Sequence, residues 1–121
     1  MRQIYINSEN QQEFISKSFM RARLYRRLMS HTENLGEEMD CYLKSDHSDI
    51  SRKDYDNELD KLHLEMTGRV YMLFEVRVIT TDEMRILTGI LNDLYIDCYL
   101  LRFDAVSRLS IRKLFEFLTE Q

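Results

Sequence analysis

The sequence contains no proline and only three glycines, at positions 36, 68 and 89. A whole domain without proline favours long helices over a chain of sharp turns, because proline interrupts helices and glycine weakens them. The three glycines are also too scattered to form the glycine-rich loop that binds phosphate groups. These absences predict a helical protein and exclude a nucleotide-binding loop of the familiar kind.

Cysteine and long apolar runs are equally scarce. Cys41 and Cys98 are the only cysteines in 121 residues, too few for a disulfide scaffold, and they favour a reduced compartment. The first ten residues, MRQIYINSEN, lack the apolar core of a secretion signal, and no apolar run approaches the roughly 20 residues of a membrane span. We therefore expect a cytoplasmic protein that does not contact membranes.

Groups of residues that carry known chemistry are also missing. Asp60 and His63 have the spacing of half a di-iron site, but a bundle of that kind needs two Glu-x-x-His copies. Cys41 and His47 are too isolated for zinc, which takes four ligands. No serine, cysteine or carboxylate catalytic set is recognisable. We expect no enzymatic activity and no metal or other cofactor.

What the sequence does contain is the composition of one globular domain, residues 1–121, with 44% hydrophobic and 31% charged residues. A clear helix start lies at Thr80, where Glu83 at the third helical position completes a capping box. Ile79 and Met84 flank this start as a hydrophobic staple. The apolar residues that follow are spaced alternately by three and four, which predicts a helix: Met84, Leu87, Leu91, Leu94, Cys98 and Leu101.

A second helix start of the same kind is predicted upstream. Ser51 would be the N-cap, with Asp54 at the third helical position and Ile50 packed against Tyr55. Helical spacing continues from there through residue 76, which leaves a tight corner between two helices at 77–79. The residues that carry this spacing are Tyr55, Leu59, Leu62, Met66, Val70 and Leu73.

A first helix from Ser8 to about Leu43 and a last helix from Asp104 complete the prediction. Four helices with short connections indicate an all-α fold, a small antiparallel bundle. The alternative is an α+β fold, in which the valine-rich residues 69–79 form a short two-stranded sheet with residues 2–6.

Charge is unevenly distributed along the chain, whose net charge is −4. Residues 1–32 carry six basic and two acidic side chains, residues 33–66 carry four and eleven, and residues 67–121 carry seven and eight. This basic, acidic and nearly neutral order marks either a surface for a partner or two faces of one bundle that attract each other.

The basic first helix presents the clearest candidate surface. At 100° per residue, Arg23 and Arg27 lie opposite the apolar stripe from Ile15 to Met29, and Met20 and Leu24 lie between the two arginines. Arginine and methionine are enriched at interfaces, so we expect these four residues to bind a partner protein. Two alternatives remain: the arginines contact nucleic-acid phosphates, or another helix covers Met20 and Leu24.

The helix that begins after Thr80 suggests a second surface. Its C-terminal half is apolar almost all round, with Leu94, Cys98 and Leu101 on one stripe and Ile96 and Leu100 pointing elsewhere. A homodimer built on Ile96 and Leu100 would bury what a monomer leaves exposed.

One pair of residues suggests an enzyme. Arg26 and His31 are separated by four residues, a spacing that resembles the R-x4-H motif of HEPN-type ribonucleases, which are also small helical bundles. Roughly one such spacing is expected by accident in a chain with this arginine and histidine content. The alternative is a solvated arginine beside a surface histidine.

These observations favour a non-enzymatic interaction module, a small regulator, adaptor or inhibitor that acts by binding another protein. Binding of nucleic acid through the basic first helix is the first alternative, and a HEPN-like ribonuclease with Arg26 and His31 is the second.

Overall fold

The computed structural model describes the backbone of residues 8–119 and the side chains of residues 17–119. It contains four helices: α1 (Ser8–Leu43), α2 (Asp49–Glu75), α3 (Thr81–Tyr99) and α4 (Ala105–Thr119). Each connection is five residues long, at 44–48, 76–80 and 100–104, so consecutive helices are antiparallel. This confirms the all-α prediction, and no strand occurs within residues 8–119.

The corner between α2 and α3 follows the prediction made from its sequence. Arg77 adopts a left-handed φ of 63°, which ends α2, and the Thr80 Oγ1 accepts a hydrogen bond from the Glu83 amide at 3.1 Å. The Glu83 carboxylate accepts in turn from the Thr80 amide at 3.2 Å, which completes the capping box. Residues 69–75 are helical, so the alternative two-stranded sheet is wrong; its other strand, residues 2–6, lies outside the described residues.

The start of α2 differs from the prediction by one turn. Ser48, not Ser51, is the N-cap: its backbone is extended, and its Oγ accepts a hydrogen bond from the Ser51 amide at 3.1 Å. Ile50 is three-quarters exposed and therefore forms no staple. The Asp46 carboxylate holds the preceding loop in place, because it accepts a hydrogen bond from the Ser51 hydroxyl at 2.6 Å. This hydrogen bond is the main reason why the pKa of Asp46 is lowered to about 2.

Apolar side chains from all four helices fill a core in two adjoining clusters. Burying each leucine or phenylalanine contributes about 1.5–3 kcal/mol to the free energy of unfolding. The first cluster contains Leu24, Tyr25, Leu28, Met66, Val70, Val78, Ile79, Leu87, Leu91 and Phe115. The second contains Leu35, Met39, Tyr55, Leu59, Leu94, Cys98 and Phe103.

Helix α1 is the central element, because it packs against α2 on one side and α4 on the other and also contacts α3. Its buried surface is therefore broader than the predicted Ile15–Met29 stripe, and it includes Leu24 and His31. At the end of that stripe, Phe19 is 58% exposed, and the side chain of Ile15 lies outside the described side chains.

An ion pair between described residues links α1 to α4. Arg108 donates two hydrogen bonds to the Asp40 carboxylate, at 2.8 and 2.9 Å, and a third to the Phe103 carbonyl at 3.1 Å. Gly36 allows this approach, since a Cβ there would lie 3.0 Å from the Arg108 Nε. No helix within the described part of the chain is long and apolar enough to cross a membrane.

Candidate protein-binding groove

The four residues predicted to bind a partner line one groove between α1 and α2. The groove lies at the end of the pair where α1 begins and α2 finishes, and it encloses about 250 Å³. We call it the basic groove. Its lining consists of Met20, Arg23, Leu24 and Arg27 from α1 and Arg69, Met72 and Leu73 from α2.

Leu24 has a different position from the one predicted for it. It was expected on an outward face, but it is only 1% exposed because α2 packs over it. Leu24 therefore forms the floor of the basic groove together with the half-buried Leu73, while Met20 and Met72 remain exposed on either side. The groove thus has an apolar floor and flexible methionine walls, which adapt to different apolar contacts.

Three guanidinium groups stand around this floor, and none of them has a counterion among the described residues. Arg23, Arg27 and Arg69 form no hydrogen bond or salt bridge with any residue between 17 and 119. Of the other described arginines, Arg21, Arg52 and Arg108 pair with Glu83, Asp56 and Asp40, whereas Arg26, Arg77 and Arg85 also form no salt bridge with a described residue.

The effect of this crowding is seen at Arg27. Its pKa is lowered, chiefly by the positive charge of Arg69, then by desolvation and by Arg23. Three like charges held close together favour the arrival of an anion, which would relieve their repulsion. Guanidinium groups bind carboxylates and phosphates with paired hydrogen bonds, so either anion has suitable chemistry.

The α2 half of the basic groove was not found by sequence reasoning. Arg69, Met72 and Leu73 belong to a helical segment whose outward side has no unusual composition. Their role depends on which turn of α2 lies beside Arg23 and Arg27, and that register is set by the core contacts of the two helices. The length of the 44–48 connection limits how α2 can be aligned along α1 once both helix ends are known, and the core contacts then select the alignment.

The predicted oligomer residues are on the surface of α3. Ile96 is 47% and Leu100 50% exposed, and the neighbouring Tyr99 is also exposed. They point away from the buried stripe of α3, which contains Leu94 and Cys98. Contact between two copies through Ile96 and Leu100 stays a prediction.

The two residues of the R-x4-H spacing lie in different environments. Arg26 is exposed, whereas His31 is only 5% exposed, and five residues along a helix separate their directions by about 140°. The pKa of His31 is lowered to about 4, mainly by desolvation and further by the charge of His63. His31 is therefore neutral near pH 7 and has no direct access to solvent.

The residues considered as metal ligands have other partners. Asp60 accepts a hydrogen bond from the Tyr95 hydroxyl, and the His63 ring lies 4.9 Å from the Tyr95 ring, so both link α2 to α3. His47 is stacked on Tyr42 in the loop after α1. Within the described residues, no three histidine, cysteine or acidic side chains form a group that could hold a metal ion.

Comparisons with known proteins give no match. No protein-family model matches the sequence, and neither curated proteins nor solved structures show a significant similarity to it. The function must therefore be argued from the groove itself.

Proposed function

We propose that this chain is a small protein-binding module, a regulator, adaptor or inhibitor, which binds an acidic amphipathic helix of another protein in the basic groove. The observation that carries the proposal is a set of three arginines around an apolar floor, none of which forms a salt bridge with any residue from 17 to 119. The carboxylates of the bound helix would pair with Arg23, Arg27 and Arg69. Its apolar side would rest on Leu73 and the two methionines, Met20 and Met72.

The apolar part of the groove favours a protein ligand over nucleic acid. A phosphate backbone would satisfy the three arginines, but it would leave the Met20, Met72 and Leu73 side chains without an apolar partner. An amphipathic protein helix offers carboxylates to the arginines and apolar side chains to the groove floor, in keeping with the apolar centre and polar rim of a typical interface. Rim pairs of this kind contribute only about 0.2–1 kcal/mol each, so the apolar contacts supply much of the affinity and the arginines supply the selectivity for acidic ligands.

The proposal can be tested with a fluorescein-labelled 18-residue peptide that is designed as an amphipathic helix with glutamates on one side and leucines on the other. Binding to the intact chain is measured by fluorescence anisotropy. We expect Arg23→Glu with Arg27→Glu to weaken binding at least tenfold, because it replaces two attractions by two repulsions. Added salt should weaken binding of the unaltered chain, since exposed charges are screened.

Arg77→Glu with Arg85→Glu is the matched control. It makes the same change in net charge at exposed arginines outside the groove, and it should leave peptide affinity within twofold. A peptide with lysine in place of glutamate should bind at least tenfold more weakly than the acidic peptide. Equal binding of both peptides, or binding of labelled DNA or RNA in preference to the acidic peptide, would contradict the proposal; the second result would favour the nucleic-acid alternative.

A further inference from the structure

The α1–α2 pair carries a second groove, which is acidic, at the opposite end from the basic groove. It encloses about 470 Å³ between the end of α1 and the beginning of α2. We call it the acidic groove. Its lining consists of Glu38, Cys41 and Tyr42 from α1, Ser45 from the 44–48 connection, and Ser51, Asp54, Tyr55 and Glu58 from α2.

The two grooves have the same residue spacing on both helices. On α1, the three helical lining residues of the acidic groove, Glu38, Cys41 and Tyr42, each lie 18 positions after a lining residue of the basic groove. On α2, three of its four lining residues lie 18 positions before a counterpart, as Asp54 lies before Met72. Eighteen residues make five helical turns, so the grooves share one face and lie about 27 Å apart. We call this surface the α1–α2 face.

The acidic groove concentrates negative charge as the basic groove concentrates positive charge. Glu38, Asp54 and Glu58 form no salt bridge with another described residue. The pKa of Glu38 is raised, first by partial burial and then by the charges of Glu58 and Glu37. Among the described residues, the α1–α2 face therefore has three cations without a salt bridge at one end and three anions without one at the other.

A face with this charge distribution is complementary to itself. A two-fold rotation about an axis in the plane of the interface, perpendicular to the helices, reverses the helix direction of the second copy. It places the acidic groove of the second copy over the basic groove of the first, and the reverse contact forms at the other end. Arg23 and Arg27 then face the Glu38 region of α1 in the second copy, and Arg69 faces the Asp54 region of its α2.

We infer that two copies of this chain associate antiparallel through the α1–α2 face, each basic groove against the acidic groove of the other copy. The helical lining residues span 22 positions on each helix, so the face is about 33 Å long, and two helices make it about 20 Å wide, which gives roughly 660 Å² per copy. Specific interfaces bury about 600–1,000 Å² on each partner, so this area lies at the lower end of that range. The inference goes beyond the proposed function, because it needs only a second copy and holds whether or not an acidic helix of another protein binds.

Charge reversal with rescue tests this inference. One variant carries Arg23→Glu, Arg27→Glu and Arg69→Glu, and the other carries Glu38→Lys, Asp54→Lys and Glu58→Lys. Sedimentation velocity at 10–200 µM protein and low salt should show a dimer for the unaltered chain and at least tenfold weaker association for each variant alone. An equimolar mixture of the two variants should form a heterodimer, because every repulsion becomes an attraction again.

Two further variants separate this face from other surfaces. Arg77→Glu with Arg85→Glu and Arg112→Glu makes the same change in net charge as the triple-arginine variant at exposed residues outside the α1–α2 face. Ile96→Asp with Leu100→Asp removes the exposed apolar residues at the end of α3. Both should leave this dimer intact, and the second variant distinguishes it from the homodimer through Ile96 and Leu100 that the sequence predicts. The inference is overturned if the unaltered chain stays monomeric at 200 µM, if the mixed variants fail to associate, or if the α3 variant alone abolishes the dimer. Circular dichroism shows whether each variant is folded. Two variants that associate in the mixture must also both be folded.

Discussion

The imidazole of His31 lies between α1 and α2 with its Nε2 buried and without a hydrogen-bond partner among the described residues. The Nδ1 of His63 is in the same situation. An unsatisfied buried nitrogen lowers the free energy of unfolding, and a protonated one would lower it further. Desolvation depresses the pKa of both imidazoles, and that of His31 falls to about 4.

This shift predicts a loss of stability in mild acid. Between pH 6.5 and about 4, the unfolded chain binds a proton at His31 while the folded chain does not, so the free energy of unfolding falls as the pH is lowered. At about 1.4 kcal/mol per pKa unit, the His31 contribution over this range is about 3 kcal/mol. His31→Leu should remove that contribution and leave stability at pH 7.5 equal or greater, because the unpaired nitrogen is gone.

Urea unfolding at pH 7.5, 6 and 5 measures the effect. His47→Asn, in the exposed loop after α1, serves as the control and should keep the pH dependence of the unaltered chain. If His31→Leu and the unaltered chain lose stability in parallel on acidification, His31 is not the group responsible.

At the scale of the helix, two glycines differ in what surrounds them. Gly68 lies in α2 with open space where a Cβ would stand, whereas a Cβ on Gly36 would press on Arg108. Glycine inside a helix lowers the free energy of unfolding by about 0.5–1 kcal/mol relative to alanine. The same substitution should therefore have different results in α1 and α2.

We expect Gly68→Ala to raise the free energy of unfolding by about 0.5–1 kcal/mol. Gly36→Ala should give no such gain, because displacing Arg108 weakens its hydrogen bonds to Asp40 and offsets the better helix propensity. Urea unfolding of both variants provides the comparison. A destabilising Gly68→Ala would show that this part of α2 makes contacts other than those described.

Sequence patterns predicted these helices best where the determining contacts are local. The capping box of Thr80 and Glu83 lies within one turn, so it could be read directly. Ser48 and Ser51 are both suitable N-caps three residues apart, and only the loop geometry set by Asp46 selects the first. The sequence left open whether Leu24 faces outward or is covered by another helix, because its burial depends on α1 being enclosed by helices on two sides; the second alternative applies to Leu24 but not to the exposed Met20.

At the scale of the whole molecule, the net charge is −4, but positive and negative side chains are separated along the α1–α2 face. The α1 half of the basic groove was predicted from the excess of basic residues before position 33. The contribution of Arg69 was not, since it depends on the antiparallel register of α2. Both proposals place a ligand in the basic groove: an acidic helix of another protein in one and a second copy of this chain in the other. The two ligands cannot occupy the groove together.

Competition between them is therefore expected. Addition of the acidic helical peptide to the dimer should produce a monomer with one bound peptide, which sedimentation velocity resolves from the dimer. Peptide affinity measured by anisotropy should accordingly fall as the protein concentration rises above that of half dimerisation. A dimer that binds peptide without dissociating would show that the two ligands use different surfaces.

The 18-residue offset between the grooves makes the number of residues as important as their identity. Deleting one residue from α1 between Arg27 and Glu38 would turn everything beyond the deletion by about 100° and carry Glu38 off the face that Arg27 occupies. The charged side chains of both grooves would remain, yet the pattern of opposite charges would be lost, and the same rotation would turn core residues that follow the deletion, such as Met39, away from the core. The contacts proposed for this face therefore depend on the number of residues in α1, and we expect an insertion or deletion there to be more damaging than most substitutions of exposed residues.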